Sequence, residues 1–438
     1  MKLEVLLALT GIATFVILIL LSTNPRRLTI LYVLAAFPLM DLYITPYNMG
    51  GLKLFDGIAL ISGFLLFGKL SRFTNKSFTY TIFAFLLILI IGSLSSPFIS
   101  NSLISILPIL SMVIFAKLLV DELIELEGFT QEVIDYIKMA AIGALLFLSI
   151  QLLVGLEFTF YKELNPNIND PEGFRYPGYF SDTQKFAQFL SMTAFLFLIK
   201  TKNRILNSLN YFLLFLIFLA ITFTGGRAAL LGLGFGIMAI LIFGEWKYRK
   251  YAAIAGVIGL CLYLSFSQHL ILFNRAEKVD DSLNFRLLIW KESFDIFLQN
   301  PFLGIGTGNF QAYITIYAPH LYWPQLSGEI MYMDHPENGY LKLLTEYGLV
   351  AFSLQFYILA SLLYYSISKF YKRAQNYNLL FITSSIIGFG ISFITVYSLG
   401  DKRILITVIT LFSLLIYYRL NPSDSYLCPI PNQRSHSI

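Results

Sequence analysis

The chain has 438 residues, of which 57% are hydrophobic and only 13% charged, about half the charged share of a soluble domain. With a mean hydropathy of +0.70, it cannot cover a water-facing surface, and a soluble enzyme is excluded. The net charge of +5 is small, and two cysteines (Cys261 and Cys428) exclude a disulfide framework or a cysteine-rich metal site.

A membrane-crossing helix needs roughly 20 mostly apolar residues. In chain order such runs fall at 4–22, 28–45, 54–69, 78–96, 99–120, 136–154, 184–200, 207–224, 228–244, 251–267, 348–368, 377–397 and 403–419. The expectation is an all-α, polytopic integral membrane protein with about 12–13 transmembrane helices. The first run has one early charge, Lys2, and no small-residue cleavage site, so it is read as a retained helix. The 41 Phe and 27 Tyr suit a lipid-embedded body with aromatic belts.

Connections alternate in charge. Arg26 and Arg27, then Lys69, Arg72 and Lys76, Lys200, Lys202 and Arg204, Lys247, Arg249 and Lys250, and Lys369, Lys372 and Arg373 mark one side. The other side holds only Lys53, Arg227, Lys402 and Arg403 in its short loops. The positive-inside bias makes the first set cytoplasmic. The acidic stretch 121–135 then falls inside, read as an amphipathic surface helix. Residues 1–267 form a helical bundle with an external loop at 155–183, and 268–347 form a large external cap. Residues 348–420 supply the last transmembrane helices, and 421–438 a disordered tail. The cap is rich in Trp, Tyr, Phe and Leu, which argues for ordered helices rather than disorder.

No phosphate-binding glycine loop, dinucleotide fingerprint or HExxH motif is present, so nucleotide and zinc-protease chemistry are unsupported. His269, His320 and His335 share the cap in no metal-ligand spacing; no metal, cofactor or nucleic acid is expected. Outward charges are the informative ones. Arg227 follows Gly225 and Gly226 in a tight outer turn, where the glycines allow close backbone approach and room for a large head group. Arg286 and Trp290 are i,i+4 neighbours. The stretch Asn300 to Phe310 is glycine-rich and able to present N–H groups to an anion. Pro336 suits a first helical position, which puts His335 and Glu337 at a helix start, with Gly348 as its C-terminal stop. Arg175 precedes Ser181 and Gln184, which have capping-box spacing. Lys402 and Arg403 read as interface anchors. Arginines facing outward beside a titratable His or Glu fit recognition of a di-anionic phosphate, which the guanidinium fork meets bidentately.

The ordered set Arg175-x-x-Gly, Gly-Gly-Arg227-Ala, Arg286-Leu-x-x-Trp290, Asn300-Pro-x-x-Gly-x-Gly and Asn338-x-Tyr340-Leu…Glu346-x-Gly resembles the O-antigen ligase/polymerase superfamily of bacterial membrane glycosyltransferases. The motif-bearing likeness runs from about 170 to 355. The resemblance implies an inner-membrane enzyme with its site on the external side. It would transfer a glycan from undecaprenyl pyrophosphate to a saccharide or lipid-linked acceptor in cell-surface polysaccharide assembly, with inversion and without a metal. It implies Arg227, Arg286 and Arg175 on the pyrophosphate, with Gly226, Trp290, Asn338 and Tyr340 in support. The family commonly has His directly before that Asn; here the slot holds Glu337, and His335 lies two residues earlier. Either is the candidate base: His335 by its ordinary pKa, Glu337 by register. Polymerase is favoured slightly over ligase because of this departure. A transporter or flippase for lipid-linked saccharides is the alternative, although its usual midplane polar residues and inverted repeats are not seen.

Overall fold

The computed structural model describes residues 3–45, 51–67, 76–160, 175–200, 204–266, 279–324, 330–371 and 377–421. Residues 422–438 of the expected tail, residues 161–174 of the external loop and His269 lie outside the described residues.

Each of the thirteen apolar runs carries a helix. They are α1 (Leu3–Leu21), α2 (Pro25–Ala35), α3 (Leu54–Leu65), α4 (Lys76–Leu94), α5 (Ile99–Glu125), α6 (Phe129–Val154), α7 (Thr183–Ala194), α8 (Arg204–Thr224), α9 (Arg227–Phe243) and α10 (Trp246–Phe266). The cap adds α11 (Val279–Gln299) and α12 (Phe310–Tyr317), and α13 (Gly339–Tyr371), α14 (Tyr377–Ser392) and α15 (Lys402–Leu420) complete the bundle. Among the described residues, six helices (α1, α5, α6, α8, α13 and α15) are long and apolar enough to cross a membrane, and four shorter apolar ones accompany them. The 28–45 run falls short of a full crossing because Pro38 lies in a 3-10 turn that follows α2. Helix α7 is likewise short, ending in a 3-10 turn at Phe195–Leu198, and from Phe186 onward all its residues are buried. A helix enclosed by others need not match the bilayer thickness.

The lipid-facing surface is apolar, as Leu153, Phe64 and Ile205 illustrate at 87%, 85% and 78% exposure. Inside, α9 crosses α14 at glycines. A Cβ on Gly232 would overlap the Gly388 carbonyl, and one on Gly236 would overlap the Phe195 ring. Small residues bring membrane helices into backbone contact, and this crossing sets the N-terminal end of α9 beside the C-terminal end of α14.

Two sets of contacts mark the two ends of the bundle. At one, Arg26 pairs with Glu122 at 2.8 Å and with Glu125, and Arg27 with Glu132 at 2.8 Å. The acidic stretch 121–135 is therefore not a separate surface helix. It is the end of α5 and the start of α6, joined by a turn in which Gly128 has φ 81°, and its carboxylates neutralise the arginines of α2.

At the other end Lys402 and Arg403 are buried, not interface anchors. Arg403 is fully buried and donates to both Asp401 oxygens at 2.9 and 2.5 Å and to the Tyr179 carbonyl at 2.5 Å, with its guanidinium 4.3 Å from the Phe180 ring centroid. Lys402 pairs with Asp56 at 2.8 Å, and Lys53 with Asp41 at 2.7 Å. The Asp41 carboxylate also accepts from the Lys402 backbone N–H at 2.7 Å. Three cations meet three carboxylates, so the network is neutral, as burial demands.

The cap has its own apolar cluster, including Ile289, Ile296, Ile305, Phe310, Ile314 and Leu321. Beyond its helices it holds an antiparallel ribbon, β1 (Tyr322–Pro324) with β2 (Ile330–Tyr332), pairing Tyr322 with Tyr332. The glycine-rich stretch after Asn300 is a packing device rather than an anion cradle. Gly304, Gly306 and Gly308 all have positive φ, and the N–H groups of Ile305 and Gly306 are spent on the carbonyls of Thr345 and Glu346 at 3.1 Å. The Asn309 side chain donates to Ser96 and Ser102 at 2.8 and 2.6 Å, tying the loop to α4 and α5. Gly348 ends the first part of α13, but the chain resumes as helix at once, leaving a kink at φ 70°. Gly348→Ala would force a side chain into the Phe302 carbonyl and Gly304. Left-handed strain alone costs about 1–3 kcal/mol; a lowered midpoint of thermal unfolding in detergent is the expected result.

Candidate active site

The short polar segment before α13 carries the candidate residues His335, Glu337 and Asn338. Helix α13 begins at Gly339, not at Pro336. Asn338 caps it, its side chain accepting from the Leu341 N–H at 3.0 Å. The start is displaced because Glu337 has φ 52°, the one positive φ of a non-glycine residue among the described residues. That conformation is incompatible with a right-handed helix and costs a residue with a Cβ roughly 1–2 kcal/mol. What holds it is α11. Trp290 Nε1 donates to the Pro336 carbonyl at 2.8 Å, and Arg286 lies 3.5 Å from the Glu337 carboxylate. The i,i+4 pair on α11 thus grips two consecutive residues of this segment.

His335 lies between two carboxylates. Nδ1 is 2.5 Å from Asp334 and Nε2 is 3.5 Å from Glu337. Burial alone favours the neutral ring, but these carboxylates outweigh it and raise the His335 pKa to about 9. Glu337, in turn, is held below the usual carboxylate range; burial opposes this, and His335 and Arg286 prevail. Asp334 is also held low against desolvation, by His335 first, then Lys342 and Lys185. At neutral pH the segment is an ion chain: Asp334 carboxylate, His335 imidazolium, Glu337 carboxylate, Arg286 guanidinium.

Lys342, one turn into α13, donates to the Asp334 carbonyl at 2.7 Å, lies 3.5 Å from Glu346 and sits 4.6 Å from the Tyr397 ring centroid. Tyr397 also lies 5.5 Å from the His335 ring. Asp334, Lys342, Lys185 and Tyr397 escaped the sequence reading. Lys342 and Glu346 are one turn apart within the recognised motif, a signal that was available; Lys185 and Tyr397 come from distant helices and left none.

The back of the site is the C-terminal end of α14. Gly339 N–H donates to the Phe393 carbonyl at 2.9 Å, and the Tyr340 hydroxyl donates to the Gly390 carbonyl at 2.8 Å. Tyr340 is thereby an anchor for α13. The α9 start reaches the same region through the glycine crossing. Arg227 is its first residue and is exposed. A cation at a helix N-terminus opposes the helix dipole, and both attract an anion. Gly226 gives close approach to α7, because a Cβ there would overlap Ala187; the space beside it is filled rather than open. Arg175 is buried, its Nε donating to the Thr224 carbonyl at 3.0 Å. It braces the turn that carries Arg227. Asp182, not Ser181, caps α7, accepting from Gln184 N–H at 2.8 Å. His320 lies apart, 3.9 Å from Glu292.

These features define a polytopic, helical membrane protein with a charged site at one end of its bundle. Residues 212–356, a third of the chain, match the family model for the O-antigen ligase domain, Wzy_C, and over that stretch the chain is similar to the O-antigen ligase family. The matched segment contains Gly226, Arg227, Arg286, Trp290, His335, Glu337, Asn338 and Tyr340, and leaves out Arg175. No curated protein matches the chain.

Proposed function

We propose that the protein transfers a glycan from undecaprenyl pyrophosphate to a sugar hydroxyl during assembly of a cell-surface polysaccharide, on the external side of the bacterial inner membrane. The observation that carries this reading is the Arg286–Glu337–His335 ion chain, held in strained backbone at the outer end of α13. The acceptor hydroxyl oxygen attacks the anomeric carbon as the bond from that carbon to the pyrophosphate oxygen breaks, with inversion and no metal. The hydroxyl proton passes to the Glu337 carboxylate, and the electron pair leaves with undecaprenyl pyrophosphate. His335, protonated at neutral pH, keeps Glu337 ionised rather than competing for the proton. Arg286 and Arg227, with the α9 N-terminus, balance the charge that develops on the leaving pyrophosphate, and Arg175 positions the Arg227 turn. Asn338 and Trp290 fix the segment's backbone.

Polymerisation, with a second lipid-linked glycan as acceptor, is favoured over ligation to a terminal carrier. The departure of Glu337 from the family's usual His supports it. If Arg286 engages pyrophosphate through its fork, Arg286→Lys fails nearly as badly as Arg286→Ala. Loss of a charged interaction costs roughly 1.5–3 kcal/mol, about ten- to a hundredfold in rate. The test is purified protein with an undecaprenyl-pyrophosphate glycan, reading product length. Wild-type rate in Arg286→Lys removes the pyrophosphate role. Failure to make product with any acceptor, together with movement of the lipid-linked sugar across liposomes, replaces the enzyme by a transporter.

A further inference from the structure

Helix α11 has a face that the site does not use. Ile289, Ser293 and Ile296 are buried, and Arg286 and Trp290 grip the segment before α13. Away from these, Leu287, Leu288, Phe294 and Leu298 are 51%, 40%, 45% and 56% exposed. Residues 287, 294 and 298 fall on one side of a helix at spacings of seven and four, and Phe302, 66% exposed, lies just beyond. Among the described side chains, Lys291 and Asp295 bring charge to this side. An apolar stripe of this length calls for a cover.

The lower end of the stripe identifies the cover. Pro301 to Leu303 is wedged between two membrane helices. Leu349 N–H donates to the Pro301 carbonyl at 2.8 Å and Val350 N–H to the Phe302 carbonyl at 3.3 Å. On the other side, a Cβ on Gly92 would lie 2.7 Å from the Leu303 carbonyl oxygen. Gly92 is in the last turn of α4, and Leu349 and Val350 open the long apolar part of α13, with 47% and 38% exposure. Phe302 therefore continues the lipid-facing surface of α4 and α13, and α11 extends that surface outward.

We propose that α11 lies in the external leaflet of the same bilayer, its Leu287–Phe294–Leu298 side in the acyl boundary and Lys291 reaching to the headgroups. Amphipathic helices settle roughly 5–10 Å into that boundary. Arg286 then sits at headgroup depth, where the phosphates of any membrane-held substrate already are. This inference does not depend on the proposed chemistry.

The test uses full-length protein with Cys261→Ser and Cys428→Ser, one chain per nanodisc, carrying a bimane on Phe294→Cys, Leu298→Cys or Leu287→Cys. His320→Cys, at a side chain 54% exposed, is the water-facing control. Lipids brominated on the acyl chains should quench the three α11 probes several-fold more than the control, and aqueous iodide should quench the control far more. Equal iodide quenching of all four sites overturns the proposal. Probes shielded from both quenchers only in discs holding two chains identify a second copy as the cover, and overturn it too. Leu287 and Phe294 report independently, so a misfolded single variant does not decide the result.

Discussion

With Glu337 as the proposed base, Glu337→Gln is expected to abolish measurable transfer while leaving the fold intact: loss of a general base costs roughly 10²–10⁴ in rate. Glutamine keeps the shape and the strained backbone but cannot take a proton. The pH profile separates the two candidate bases by sign. Burial works against it, yet the flanking carboxylates raise the His335 pKa to about 9, so His335 is charged at neutral pH. With Glu337 as base, the rate is on a plateau at neutral pH. It falls in acid as the carboxylate is protonated, and it does not rise as His335 loses its proton near pH 9. With His335 as base, the rate rises toward pH 9 instead. His335→Ala should then leave partial activity and shift the acid limb upward, because Glu337 has lost its neighbouring cation. A rate that climbs through pH 9, or a fully active Glu337→Gln, assigns the base to another group. The same pair contributes to stability in the matching direction. A histidine whose pKa is raised on folding stabilises fully below its unfolded value near ~6.5, and that contribution is lost as pH rises through about 9.

Arg403→Ala is expected to destabilise the protein by about 3–5 kcal/mol, since it strands a buried carboxylate. Asp401 is 1% exposed and Arg403 fully buried. Burial pushes the Asp401 carboxyl up, and Arg403 more than offsets it, holding the group below the usual range. Asp401 also caps α15 through the Arg403 N–H at 3.0 Å. The double variant Asp401→Asn/Arg403→Met removes both charges and should lose clearly less than the sum of the single changes. Thermal unfolding in detergent measures this; additive losses would mean that the two side chains act separately.

The helices were legible because a bilayer imposes one length and one composition on whatever crosses it, and every apolar run does carry a helix. The departures have physical causes. Lys402 and Arg403 look like interface anchors by position alone; Asp401 beside them is a local partner for Arg403, but Asp56 and Asp41, which complete the buried network, are more than 300 residues away and no local pattern announces them. The glycine loop after Asn300 reads like an anion cradle because positive-φ glycines serve both purposes, and only the Thr345 and Glu346 carbonyls reveal which. Arg286, Trp290, His335 and Glu337 were each singled out by spacing and charge, and the family resemblance is what grouped them into one candidate site. That Glu337 interrupts the helix, and that Asp334 and Lys342 flank it, depends on packing against α11 and α14.

The hydrogen bonds of Gly339 and Tyr340 run to residues 390 and 393, the His335 ring faces Tyr397, and the turn bearing Arg227 is braced from Arg175. Every one of these supports lies outside residues 212–356. The segment that carries the family likeness is therefore not an autonomous folding unit. Excised, it would keep the candidate catalytic side chains but lose the wall that aims them, so transplanting the proposed chemistry into another protein means transplanting α7, α14 and the 393–401 link with it.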